Sequence, residues 1–179
     1  VNFSTNNVFE KPVRFLNFHY KFANGTRPGG ILAENSAYWA GPELDKGNLA
    51  VQWNSPLDAN GNKIPTELKS YKDNMKNFLG TGITSSNNVS VTGAGSKMLY
   101  RFSVNNMNHK GMIPNSNLYR NGLAVNVNYS LLDNLKISTN INYVRSKSND
   151  MPATGNRASN PLQAVYNYSN VNVLDLQNY

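Results

Sequence analysis

What most constrains this chain is an alternation of apolar and polar residues that begins near Asn87 and recurs over four successive segments. A period of two marks a β-strand, whose successive side chains point to opposite faces of a sheet. In Asn88–Thr92, Val89 and Val91 oppose Asn88, Ser90 and Thr92. Between Lys97 and Asn105, Met98, Tyr100, Phe102 and Val104 oppose Arg101, Ser103 and Asn105, and only Leu99 breaks the pattern. From Leu123 to Leu131 the apolar set is Leu123, Val125, Val127, Tyr129 and Leu131, against Asn126, Asn128 and Ser130. From Leu135 to Arg145 it is Leu135, Ile137, Ile141 and Tyr143, against Lys136, Ser138, Asn140 and Asn142. Residues 87–146 therefore read as a four-strand antiparallel meander.

The connections alternate in length. Gly93–Ser96 and Leu132–Asn134 read as tight hairpin turns, rich in residues that tolerate positive φ. Asn106–Arg120 and the Ser/Asn/Pro-rich stretch after Ser146 read as long loops. Short turns at one end, long loops at the other, and strands with one polar face fit an outer-membrane β-barrel with a wet interior. They also fit a secreted or surface β-sandwich that binds through its loops, since one face of such a sheet packs on a core. The barrel is favoured because the strands are long and the polar face is Asn, Ser and Thr rather than Lys and Glu. The chain holds 32 Asn but only 15% charged residues, so its polarity is mostly uncharged. Tyr100, Tyr129 and Tyr143 fit either interfacial girdles or a protein core.

The remaining segments are less regular. Residues 1–24 are predicted as early strands, Val1–Phe9 and Val13–Phe22, interrupted at Pro12. Residues 25–86 read as a long loop, with a short helix expected over Thr66–Leu79 on the spacing of Leu68, Tyr71, Met75 and Phe78. That stripe is read as packing. Residues 147–179 are expected to form a loop and the start of a further strand.

Several function classes are disfavoured. The net charge of +7 is dispersed, without a basic block or recognition helix, which argues against a nucleic-acid partner. No Cys is present, so thiolate metal sites and disulfides are excluded. His19 and His109 lack an adjacent acid or nucleophile, and Glu10, Glu34, Glu43 and Glu67 are isolated, so no enzyme is expected. Asp58–Asn62 begins like a calcium loop, but Gly61 comes too early and Lys69 stands where a bidentate Glu belongs; a plain turn is expected. Gly93-Ala94-Gly95 lacks the helix and Lys-Ser/Thr pair of a phosphate cradle. No cofactor or metal is expected. Tyr38, Trp39 and Trp53 are the candidate substrate-binding residues, either stacking on sugar rings or packing against a partner protein or, as favoured, stapling the loop to the barrel.

Four phrases in order resemble the SusC/RagA family of TonB-linked outer-membrane proteins. Tyr38-Trp39-Ala40-Gly41-Pro42-Glu43-Leu44-Asp45 resembles the family's Ser-Trp-Gly-Pro-x-Leu-Asp, with Ala40 inserted. Asp73-Asn74-Met75-Lys76-Asn77-Phe78-Leu79-Gly80-Thr81-Gly82 is similar to its Asp-Asn-x-Lys-x-Phe-Phe-x-Thr-Gly, with Leu79 replacing an aromatic. Asn88–Gly93 resembles its Asn-x-Val-Ser-x-Ser-Gly strand, with Thr92 for Ser, and Asn108–Ser116 with Arg120 its Asn-x-x-Gly-x-x-Pro-Asn loop. The resemblance runs from Phe3 to Tyr179 but covers only a fraction of the family's length; no TonB box, plug domain or carboxypeptidase-regulatory-like extension is found in it. It implies an antiparallel transmembrane β-barrel segment, the early strands of a large TonB-dependent barrel with long extracellular loops. The expected role is import of oligosaccharides or peptides across the bacterial outer membrane, with a SusD-like lipoprotein and TonB acting through the plug. Outer-membrane lipid is then the partner of the apolar faces. Alone, the segment is expected not to fold stably, because open edge strands in lipid leave backbone groups unpaired.

Overall fold

A computed structural model describes residues 1–27, 30–149, 152–153, 155 and 159–178. The elements are β1 (Asn2–Glu10), β2 (Leu49–Ala50), β3 (Thr66–Glu67), α1 (Asn74–Phe78), β4 (Gly82–Ala94), β5 (Met98–Lys110), β6 (Asn117–Leu132), β7 (Leu135–Asn149), α2 (Pro161–Asn167) and a 3₁₀ turn at Asp175–Asn178. They fall into two compact units, Val1–Lys11 with Gly80–Met151, and Pro12–Leu79 with Pro152–Tyr179.

The first unit is a sheet in the order β1-β4-β5-β6-β7, every neighbour antiparallel. The all-β, antiparallel reading therefore holds for it. The sheet is open: among the described residues β1 pairs only with β4 and β7 only with β6. The ladders keep parity between β1 and β4 and between β6 and β7 but reverse it on either side of β5. Up to a bulge between Ser130 and Leu132, one face, here the odd face, therefore carries the odd residues of β1, β4, β6 and β7 with the even residues of β5, and the even face carries the others. Strands β5 to β7 run to 13, 16 and 15 residues, well past the alternating segments. The expected long loop at Asn106–Arg120 shrinks to residues 111–116, because β5 continues to Lys110 and β6 starts at Asn117. There Gly111 N–H donates to Ser116 O, Ser116 Oγ donates to Ile113 O, and Asn115 takes φ 64°. A Cβ on Gly111 would collide with Ser116 Oγ, so a larger residue there makes that hydroxyl give up its bond to Ile113 O. The asymmetry of the ends persists: residues 95–97 and 133–134 close one end, while 111–116 and the segments leaving Glu10 and Asn149 belong to the other.

The second unit departs furthest from expectation. Val13–Phe22 forms no strand beyond one bridge, Phe22 to Glu43. Phe18, His19 and Phe22 enter ring contacts instead of alternating between two faces. The expected helix over Thr66–Leu79 is confined to Asn74–Phe78, since Thr66–Glu67 pairs with Leu49–Ala50 and Leu68 enters the core. Its N-cap Asp73 makes no side-chain capping bond. In place of a further strand, residues 161–167 form α2, where Asn160 caps Leu162 N–H and Pro161 opens the first turn. Part of the preceding stretch, at 150–151, 154 and 156–158, lies outside the described residues. The core is small, with Ala23, Leu44 and Leu68 packed with Leu32 and Ala50. Buried Asn24, Gln52, Ser55, Asn74, Ser169 and Asn170 accompany it.

Candidate functional site

The sheet has chemically different faces. On the odd face, the cross-strand rows nearest the tight turns are Phe3-Val89-Val104-Leu123-Tyr143, then Val91-Phe102-Val125-Ile141, Tyr100-Val127-Thr139 and Met98-Tyr129-Ile137. This band holds no charge. Phe3 is 64% exposed, Val104 56% and Ile141 54%. Tyr143 lies in the row at one limit of the band and Tyr129 in the row at the other, with Tyr100 one row further in. The Tyr100 ring lies over Gly93, where a Cβ would collide with it; the glycine leaves the gap that the opposite ring fills.

Further toward the 111–116 end, the odd face becomes polar. Its next row is Thr5-Asn87-Asn106-Asn121-Arg145, in which Thr5 Oγ1 donates to Asn87 Oδ1 at 2.8 Å and Asn106 Nδ2 donates to Asn121 Oδ1 at 2.6 Å. These uncharged pairs carry the strands beyond the apolar alternation. The even face is polar along most of its length, with rows such as Asn2-Ser90-Ser103-Ala124-Asn142 and Thr92-Arg101-Asn126-Asn140. His109 sits on this face with Nδ1 2.8 Å from Thr84 Oγ1, and Asn105 lies across Gly122.

In the second unit the Trp39–Asp45 phrase is a structural knot. Trp39 Nε1 donates to Asn167 O at 2.9 Å, and its ring lies 6.1 Å from His19 and 5.9 Å from Tyr166. Gly41 N–H donates to Ala23 O, Ala23 N–H to Pro42 O, and Leu44 is buried. A Cβ on Gly41 would lie 2.5 Å from Asn24 O, so the two backbones meet where no side chain fits. Asp45, at φ 58°, accepts from Ser70 N–H at 2.9 Å and Ser70 Oγ at 2.6 Å. Those bonds, chiefly the hydroxyl's, hold its carboxyl below the ordinary value of 3.8.

The sequence candidates do not converge. Trp39 is tied into the aromatic cluster, Tyr38 is 73% exposed, and Trp53 lines a separate cleft of about 260 Å³ with Glu34, Asn74, Tyr168 and Val173. Glu34 Oε1 accepts Trp53 N–H there at 2.8 Å. A more polar groove of about 610 Å³ is lined by Phe15, Phe18, Tyr20, Lys72, Asp73 and Lys76. Burial, and then Asp73, push the Tyr20 hydroxyl above its ordinary value. Asp58 closes a turn by accepting from Asn60 and Asn62 N–H, with Gly61 at φ 82°. Bonds from that turn, led by Asn62, lower its carboxyl.

Asn74 is not among the sequence candidates, yet its amide organises the unit. Nδ2 donates to Val171 O at 2.6 Å and Tyr168 O at 3.4 Å, while Oδ1 accepts Val173 N–H at 3.1 Å. The only signal in the sequence was its place in the Asp73-Asn74 phrase, since its partners lie nearly a hundred residues away. Neither a protein-family model nor a curated protein matches the chain.

Proposed function

We propose that this chain is part of the barrel wall of a SusC-like, TonB-dependent outer-membrane transporter that imports oligosaccharides or peptides together with a SusD-like lipoprotein. Transport here involves no covalent chemistry. The observation that carries the reading is the odd face, whose uncharged apolar band stops abruptly while the strands continue. Along β6 the paired rows of the band run from Leu123 to Tyr129. At about 3.3 Å per residue and a tilt of about 40°, that is roughly 15 Å of membrane depth, which fits within the ~25 Å apolar belt of such barrels. On this reading the even face lines the lumen, where Asn, Ser and Thr meet a neutral, hydroxyl-rich or peptide solute through hydrogen bonds. The 111–116 end faces outward, and exposed Tyr38 is the candidate best placed to stack on a sugar ring.

The test is Val125→Arg in the full-length protein, at mid-band on the odd face. It should cost about 2–4 kcal/mol and deplete the protein from the outer-membrane fraction. Asn126→Arg, its neighbour on the even face, should leave that abundance unchanged. Normal membrane levels of the Val125 variant would favour a β-sandwich whose odd face is covered by protein.

A further inference from the structure

The charges of the odd face are sorted by sign and by level. Within the five strands of the sheet its ionisable cations are Arg145, Lys147 and Lys110, all exposed, and it carries no Asp or Glu there. All lie beyond the apolar band toward the 111–116 end. Arg145 stands in the first row past Tyr143, Lys147 in the second (Asn7-Ser85-Asn108-Tyr119-Lys147), and Lys110 in the third (Phe9-Ile83-Lys110-Asn117-Asn149). Arg145 and Lys147, two residues apart on one strand, project from the same face about 6.7 Å apart, close enough to hold one tetrahedral anion between them. Neither is in an ion pair among the described residues. The even face differs: its charges Arg101, Arg120, Lys136 and Glu10 are scattered along the whole strand length and include both signs.

We propose that Arg145, Lys147 and Lys110 form a cationic shelf that binds the phosphate-bearing headgroups of outer-leaflet lipids. This rests on the barrel reading, which turns the odd face to lipid. A cation immediately above an apolar band meets the headgroup layer, where it gains electrostatically from lipid phosphate, and the guanidinium of Arg145 can donate two hydrogen bonds to one phosphate. The occupant is a membrane lipid because the shelf continues the apolar band on the same face. A soluble anion would have no use for the acyl-chain surface beneath it.

The experiment uses the full-length protein in phosphatidylcholine nanodiscs doped with phosphatidylglycerol, followed by detergent release and native mass spectrometry of the lipids retained. Wild type should keep phosphatidylglycerol in preference to phosphatidylcholine. The triple variant Arg145→Gln, Lys147→Gln, Lys110→Gln should lose that preference several-fold. Arg120→Gln, at the level between the Arg145 and Lys147 rows but on the even face, should keep it. Equal retention by wild type and triple variant overturns the shelf, as does an equal loss in Arg120→Gln. Displacement of phosphatidylglycerol by millimolar inorganic phosphate alone would overturn the lipid as occupant. Failure of the barrel reading shows separately, as normal membrane abundance of Val125→Arg.

Discussion

The two units use asparagine in opposite ways. In the sheet, backbone groups satisfy one another through the ladders, and amides such as Asn106 and Asn121 are free to bond side chain to side chain across the surface. In the second unit regular ladders are short, and buried amides of Asn24, Gln52 and Asn74 donate to backbone carbonyls instead. The apolar balance is reversed as well. The buried apolar residues Ala23, Leu44, Leu68 and Val173 all belong to the second unit, whereas the sheet displays Phe3, Phe102 and Ile141 outward. One unit carries its own interior; the other has apolar surface that its surroundings must cover.

The contrast can be broken most forcefully at Leu68. Leu68→Ala removes a fully buried side chain from a small core and should destabilise the second unit by about 2–5 kcal/mol in chemical denaturation, while hydrogen-exchange protection of β4 to β7 is unchanged. Asn74→Ala should cost roughly 1–3 kcal/mol, since it leaves Val171 O and Val173 N–H without their partner, and exchange at residues 168–173 should rise first. Equal protection in that variant would mean the turn holds itself. In the sheet, Gly93→Ala should cost about 1 kcal/mol by displacing the Tyr100 ring, read as altered tyrosine packing by NMR without loss of the ladder. The smallest effect is acid. Because the Asp45 carboxyl is held below 3.8, its bonds to Ser70 contribute above that pH and are lost as pH falls through the lowered value. Asp45→Asn should flatten the acid limb of the second unit's stability curve by less than about 1 kcal/mol, given its solvent exposure.

What could be read from the sequence follows the same division. Strands β4 to β7 were legible where one face was apolar, because alternation is a local pattern. Their outer ends were not: Asn105-Asn106-Met107-Asn108-His109-Lys110 is polar on both faces, and only the cross-strand register shows it to be strand. The second unit was nearly opaque. Trp39 meets Asn167 and Asn74 meets Val171, contacts between distant residues that leave no period behind. The Trp39 indole is anchored within the second unit, and nothing in the spacing of Tyr38 and Trp53 indicates that one is exposed and the other lines a cleft.

The row Thr5-Asn87-Asn106-Asn121 has a consequence for a surface that meets changing water. Amides do not titrate, and dissolved ions screen charges far more than neutral hydrogen bonds. Brine would weaken the grip of Arg145 and Lys147 on phosphate, and acid would loosen the turn at Asp45. That amide seam should stay closed through both, making it the part of the strand ends that is indifferent to the weather outside.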